Sequence, residues 1–193
     1  MRYNLKFGVK IKVSILLAVA LILVHFRIGI PIFPNFLDFD LSDIPVFFMA
    51  LYFSPLLGVF AMALKNIFTV LTIGSFTYGV GEFANFLIGA SFIFTVSVIF
   101  NRVKGRSRYV LSYVIGTLVL LSVGFLANYF IILPIYLKVL GVSIESIIGE
   151  GTTILKFLIV YIVPYNLIKS IIIFAPTVCI FSRIKKINSR SDS

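Results

Sequence analysis

The stretch TILKFLIVYIVPYNLIKSIIIFAPTVCIF, residues 153–181, decides the fold class because it is long and apolar enough to cross a bilayer as one helix. About 20 apolar residues span roughly 30 Å of hydrocarbon. Sixty per cent of the 193 residues are hydrophobic and 12% are charged, whereas soluble domains are nearer half apolar and about a quarter charged. The sequence therefore predicts an all-α integral membrane protein with a single transmembrane domain over residues 1–193.

Other apolar stretches divide the chain into six predicted transmembrane segments. The third is short, and it can complete a crossing only if neighbouring helices shield its backbone from lipid. A Pro- and Phe-rich loop, PIFPNFLDFDLSD, covers residues 31–43. The predicted segments are 10–30, 44–64, 67–74, 82–100, 109–137 and 153–181.

The net charge of +10 is distributed unevenly along the chain. Basic residues cluster at 2–12, 102–108 and 183–190, and acidic residues lie mainly in the other loops. This segregation is typical of the positive-inside rule and argues against nucleic-acid binding. We therefore expect a multi-pass protein of the cytoplasmic membrane with both termini, including a basic tail at 183–193, in the cytoplasm. The loop 101–108 would be cytoplasmic, and the loops 31–43, 75–81 and 138–152 would face outside.

Three polar side chains within predicted spans are candidates for ligand binding. A lysine near the middle of a span costs about 3 kcal/mol on insertion scales, and Lys169 lies roughly 20 Å of helix away from the charged residues at either end, Lys156 and Arg183. Asn166 precedes it by three residues and shares its helix face, while Asn128 lies in the fifth segment. Buried asparagines also join helices through hydrogen bonds, so a purely structural role remains the alternative, especially for Asn128.

Together these groups suit the edge of a flat heterocycle. An ammonium group donates to carbonyl oxygens and ring nitrogens, and a carboxamide offers a donor beside an acceptor. That pattern complements an imide, and apolar and aromatic side chains would complete the pocket.

The loop at 31–43 predicts a lid, because so many exposed aromatic side chains would otherwise favour aggregation. Phe36 and Leu37 would contact an apolar ligand, and Asp40 would accept hydrogen bonds from ligand hydroxyl groups. Asp43, by contrast, is expected mainly to cap the second helix. At the start of the fourth segment, Glu82 and Asn85 are further candidates, although Glu82 could equally complement the helix dipole.

An enzyme is the rival class of function, for example a small intramembrane transferase or protease. With one histidine, one cysteine and no carboxylate in the middle of any span, the sequence offers neither a catalytic constellation nor a metal site. No phosphate-binding loop of the GxxxxGK type is present either, so the chain is not expected to use ATP.

Four stretches resemble the riboflavin-specific substrate-binding (S) components of energy-coupling-factor (ECF) vitamin transporters. They are FPNFLDFDLSDIP at 33–45, SPLLGVFAMALKN at 54–66, NYFIILPIY at 128–136 and VPYNLIKS at 163–170.

The resemblance implies six helices and one flavin bound from outside beneath the first loop. Asn128, Asn166 and Lys169 would contact the isoalloxazine edge. Ser14 and Ala18, a weaker form of the family's AxxxA pattern, would dock a membrane coupling subunit that works with two ATP-binding subunits. The ligand would be riboflavin and no cofactor is implied; flavin mononucleotide, thiamine, biotin or folate remain alternatives.

Overall fold

The structure, a computed structural model, describes residues 7–34, 37–75, 78–141, 145–146, 151 and 153–191. Over these residues the chain forms a bundle of six helical units and one small β-hairpin, so the predicted all-helical architecture is confirmed apart from the hairpin. The elements are α1 (Phe7–Leu23), β1 (Arg27–Gly29), β2 (Asp38–Asp40), α2 (Asp43–Tyr52), α3 (Pro55–Thr72), α4 (Val80–Arg102), α5 (Ser107–Ala127), α6 (Leu133–Leu140), α7 (Ile154–Phe157) and α8 (Val163–Ser191). Five-residue π-helical turns join α5 to α6 (Asn128–Ile132) and α7 to α8 (Leu158–Ile162), making each pair one continuous unit.

Four of the described helical units are long and apolar enough to cross a membrane by length and composition: Pro55–Thr72, Val80–Arg102, Ser107–Val139 and Ile154–Ile187. Helix α1 has 17 residues and α2 has ten, so both fall below the 18 residues of that criterion. The number of helical units therefore matches the six predicted segments, but fewer of them qualify as complete spans on their own.

The break between α2 and α3 corrects the predicted boundaries. The sequence suggested that the second segment ends at Lys65-Asn66, but α2 ends at Tyr52 and α3 begins at Pro55. Ser54 is an N-cap in extended conformation whose Oγ accepts a hydrogen bond from the Leu57 amide at 3.1 Å, and proline is favoured in the first turn of a helix. The predicted third segment is the second half of α3, and Lys65 lies inside that helix.

The loop after α1 is a β-hairpin, which corrects the predicted end of the first segment at residue 30. Helix α1 ends at Leu23, and Arg27–Gly29 pairs antiparallel with Asp38–Asp40, with Ile28 opposite Phe39. The predicted lid therefore begins several residues earlier than 31–43, and its last residue, Asp43, already belongs to α2.

Helix α2 lies at the centre of the bundle, packed against α1, α3, α4 and α8. Its side chains Phe47 and Met49 are completely buried with Met62 of α3 and Phe92 of α4. Small residues let the helices approach closely: a Cβ atom added to Gly58 would lie 2.3 Å from the Cβ of Ala50. Close contact on every side allows a helix of only ten residues to be stable inside the bundle.

The last three helical units agree better with prediction. Segments predicted at 82–100 and 109–137 correspond to α4 and to the unit formed by α5 and α6. The segment predicted at 153–181 does not end there, because α8 continues to Ser191. Most of the predicted basic tail at 183–193 is therefore the end of this helix.

Candidate ligand-binding site

A cavity of about 640 Å³ lies between the hairpin, the end of α3, the start of α4, the α5–α6 unit and α8. This volume is within the usual range for small-molecule sites, roughly 300–1,000 Å³. One part of its wall is polar, and the rest is mainly aliphatic with two tyrosines. The wall is formed by Arg27, Leu37, Asp38, Asp40, Asn66, Ile73, Gly74, Ser75, Gly81, Glu82, Ala84, Asn85, Ile88, Asn128, Ile132, Leu133, Tyr136, Ile162, Tyr165, Asn166 and Lys169.

The structure brings together at this cavity seven of the eight side chains that the sequence suggested as ligand contacts. The eighth, Phe36, lies outside the described residues. The seven are Leu37, Asp40, Glu82, Asn85, Asn128, Asn166 and Lys169.

Asn128 and Asn166 are held in the same way at the two π turns. Each carboxamide donates to the carbonyl four residues earlier in its own helix, Asn128 to Gly124 at 2.7 Å and Asn166 to Ile162 at 2.9 Å. Gly124 also makes room for the second carboxamide, because a Cβ atom at that position would lie 3.3 Å from the Asn166 Nδ2. One N–H of each amide is thus used, which leaves the amide oxygen and the second N–H for a ligand.

Protein groups partly balance the charge of Lys169, and its side chain also faces the cavity. Its ammonium group lies 3.1 Å from the Asp43 Oδ2 and donates a hydrogen bond to the Asn85 Oδ1. The sequence alone shows no protein group that offsets the cost of burying Lys169, whereas in the structure Asp43 supplies the opposite charge. An ammonium has three donors, so Lys169 can still offer a hydrogen bond to a ligand.

Lys65 is the functional candidate that sequence reasoning missed. Its side chain is completely buried and pairs with Asp40 at 2.7 Å and Asp43 at 2.5 Å. Asp43 is therefore an ion-pair partner of both lysines. The expectation that Asp43 mainly caps α2 was wrong, because it lies in the first turn of α2 and its carboxylate is paired with a lysine 22 residues later in the chain. Ser42 does not cap with its side chain either, since its hydroxyl donates to Asp40.

Asp40 carries a stable negative charge on the hairpin. Burial alone would raise the pKa of its carboxyl group, but the ion pair and hydrogen bond with Lys65 and the hydrogen bond with Ser42 outweigh burial and lower that pKa below its ordinary value. Its Oδ1 accepts from the Ser42 backbone amide at 2.9 Å and its Oδ2 from Lys65. Asp40 is thus largely occupied by protein partners, with limited capacity for a ligand hydroxyl.

Asn66 and Asn85 extend the polar wall from α8 to α3. The Asn85 amide donates to the Asn66 Oδ1 at 3.0 Å, and the Asn66 amide donates to the Met62 carbonyl at 2.8 Å. Because Asn85 also accepts from Lys169, its orientation is fixed from both sides. Asn66 had been interpreted as the polar end of a span, so its place on the cavity wall was not predicted.

A second charged group lies at the hairpin end of the cavity. Glu82 accepts a hydrogen bond from the Ser75 hydroxyl at 2.6 Å and lies 3.8 Å from the Arg27 guanidinium. Arg27 was not among the predicted ligand contacts, but β1 carries it onto the cavity wall. The two partners leave Glu82 little uncompensated charge.

The hairpin packs inward on α8. Phe33 and Phe39 are buried against Tyr165, with ring centroids 5.6 Å and 4.8 Å from the tyrosine ring. The Tyr165 hydroxyl donates to the Asp38 carbonyl at 2.7 Å. These contacts hold Leu37 and Asp40 over the cavity, which is the inward orientation that a lid requires.

Ser14 and Ala18, the predicted docking residues, lie on α1 and are not part of the cavity wall. Both are exposed, on the same face as Ile11, Ile15 and Ile22. The opposite face of α1 packs on the core through Leu16, Leu17 and Ala20.

The arrangement is suited to binding rather than to catalysis or metal coordination. Its polar wall combines carboxamides with one ammonium group, and its aliphatic wall can cover a planar ring. Within the described ranges, no three His, Cys, Asp or Glu side chains come together in a group that could hold a metal.

Comparison with known proteins shows the same architecture. Residues 11–181 match the family described as ECF transporter, substrate-specific component. A solved structure described as the S component of a bacterial ECF transporter superposes with a TM-score of 0.73 and 30% sequence identity, covering 92% of this chain and 95% of that chain.

Two relatives are similar over most of their length. The riboflavin transporter RibU of Staphylococcus aureus (strain TCH60) is 32% identical over 177 residues, 90% of this chain and 88% of the relative. The riboflavin transporter FmnP of Bacillus subtilis (strain 168) is 30% identical over 174 residues, 90% of each chain. The chain belongs to the family of ECF transporter substrate-specific components, which are membrane transport subunits and not enzymes.

Proposed function

We propose that this protein is the riboflavin-binding subunit of an ECF importer in the cytoplasmic membrane. The observation that carries the proposal is the cavity wall on which Asn128, Asn166 and Lys169 lie side by side with Asn85. Two relatives at 32% and 30% identity are named riboflavin transporters, which supports the same ligand for this chain.

The chemistry of the wall fits the isoalloxazine ring. The pyrimidine edge of this ring has an imide N–H between two carbonyl oxygens. The free oxygen of Asn128 or Asn166 can accept from the imide, while the second N–H of each amide and the Lys169 ammonium donate to the carbonyls. The aliphatic residues Leu37, Ile88 and Ile132 can then cover the ring faces.

The charge of the cavity favours an uncharged flavin. Arg27, the cation at the hairpin end, is paired with Glu82, and Asp38 lies on the same part of the wall. A phosphate group needs unpaired donors or net positive charge, so flavin mononucleotide is expected to bind less tightly than riboflavin.

The transport arrangement is also part of the proposal. The chain would cross the membrane six times with both termini in the cytoplasm, because its basic residues cluster on one side. Helix α2, shielded by its neighbours, would complete one crossing together with the chain segments on either side of it, because its ten residues alone span about 15 Å. The exposed face of α1 around Ser14 and Ala18 would dock the membrane coupling subunit, since small residues allow close helix contact. Two ATP-binding subunits would supply the energy.

Titration of riboflavin with the purified protein in detergent tests the proposal. Binding should quench riboflavin fluorescence at micromolar concentration or below, with one flavin per protein. Flavin mononucleotide, thiamine, biotin and folate, added as competitors, should displace riboflavin only at higher concentrations. Displacement by one of them at lower concentration than riboflavin itself would assign the cavity to that ligand.

A further inference from the structure

Four buried charged side chains form an electrically neutral cluster that reaches from the cavity wall into the protein interior. Two are acids, Asp40 from β2 and Asp43 from α2, and two are lysines, Lys65 from α3 and Lys169 from α8. Each element therefore contributes one charge. Burial of ionised groups is tolerated only when they are paired and hydrogen-bonded, so the positions of the four side chains depend on one another.

Lys65 and Asp43 are the inner members of this cluster. Both are completely buried, and neither lies on the cavity wall. Asp43 uses one carboxylate oxygen for Lys65 and the other for Lys169, and Lys65 is shared between Asp43 and Asp40. Lys65 thus connects the hairpin to Lys169, which faces the cavity, without itself reaching a ligand.

We propose that Lys65 is a positioning residue of the binding site, which anchors the hairpin through Asp40 and keeps the Lys169 ammonium at the cavity wall through Asp43. The inference rests on the proposed function and deepens it. The cluster holds two positive and two negative charges when Lys65 is present. Without the Lys65 charge, Lys169 is the remaining cation of the cluster. The carboxylates of Asp40 and Asp43 then attract the Lys169 ammonium more strongly and draw it away from the ligand. The hairpin also loses its ion pair to α3.

The Lys65→Met variant removes the charge and keeps most of the side-chain volume. We expect riboflavin affinity to fall and its dissociation to accelerate, each by about tenfold or more, the scale of one lost hydrogen bond to a charged group. Lys104→Met, at an exposed lysine in the loop before α5, is the matched control and should leave both quantities unchanged.

The double variant Lys65→Met/Asp40→Asn separates the two roles. It restores neutrality, with Lys169 balanced by Asp43 alone, so equilibrium affinity should return most of the way to the parent value. The hairpin remains unanchored, so riboflavin should both associate and dissociate faster than with the parent, which leaves the ratio of the two rates close to the parent value. A purely structural role for Lys65 would lower the unfolding temperature without changing the dissociation rate of the folded protein, and that result would overturn the proposal.

A second readout requires no ligand. Ile30 packs against the cluster of Phe33, Phe39 and Tyr165 under the hairpin, so an Ile30→Cys thiol, in a Cys179→Ser background, reports hairpin opening through its rate of reaction with a water-soluble maleimide. We expect Lys65→Met and the double variant to react faster than the parent. If riboflavin does not bind the parent, the proposed function fails while this measurement still tests the anchor. Equal labelling rates would refute the anchor, and if Lys65→Met does not fold, the charge-balanced double variant carries the test.

Discussion

Replacing Lys169 by methionine should weaken riboflavin binding, but the structure shows that this single change alters three things at once. It removes a charged donor from the cavity wall, the donor to the Asn85 Oδ1 atom, and the partner of the Asp43 Oδ2 atom 3.1 Å away. A hydrogen bond involving a charged group contributes about 1.5–3 kcal/mol, which corresponds to a roughly 10- to 150-fold loss of affinity. Breaking a buried ion pair destabilises a protein by up to about 3–5 kcal/mol, because an uncompensated charge is left behind.

The double variant Lys169→Met/Asp43→Asn separates these effects, since it leaves one lysine, Lys65, balanced by one acid, Asp40. The stability lost in Lys169→Met should be largely recovered in the double variant, while affinity for riboflavin stays low in both. Fluorescence quenching gives the affinity, and thermal unfolding in the same detergent gives the stability. A double variant that binds riboflavin as tightly as the parent would refute the assignment of Lys169 as a ligand contact.

Two further predictions concern the surfaces of the protein. Ala18→Trp, on the exposed face of α1, should abolish riboflavin uptake by cells while leaving binding by the purified protein intact, because the bulky ring blocks close approach of the coupling subunit. Val110→Trp, at an exposed position of α5, is the control. Normal uptake by the Ala18 variant would show that the docking surface lies elsewhere. Ser107→Cys, within the basic stretch at 102–108, should be protected from an impermeant thiol reagent in whole cells, whereas Ile32→Cys in the hairpin should react; the reverse pattern would invert the topology.

Much of the fold could be predicted because its signals are local in the chain. Apolar length identified the units that contain α4 and α5 within a few residues, and the start of the unit that contains α8. The start of α3 was also accessible, since Ser54 followed by Pro55 is a typical N-cap and first-turn pair. The apolar stretch nevertheless continues across the break between α2 and α3, and the polar pair Lys65-Asn66 resembles the end of a span. Hydropathy alone therefore places the boundary at the wrong residues.

Within the site, Asn128, Asn166 and Lys169 were identifiable because each is polar within an apolar helix. Lys65 is equally polar and equally buried, yet its compensation is non-local. Its acidic partners, Asp43 and Asp40, lie 22 and 25 residues earlier in the chain. No spacing rule indicates that those segments fold around Lys65. The same applies to Arg27, which reaches the cavity only because the chain after α1 turns into a hairpin.

The absorption spectrum of the protein purified from cells supplied with riboflavin tests the central claim most directly. We predict flavin absorption bands that remain with the protein through washing, at close to one riboflavin per chain, and that are absent from the Lys169→Met/Asp43→Asn variant purified in parallel. Protein that carries no flavin and does not take up riboflavin when it is added would contradict the account.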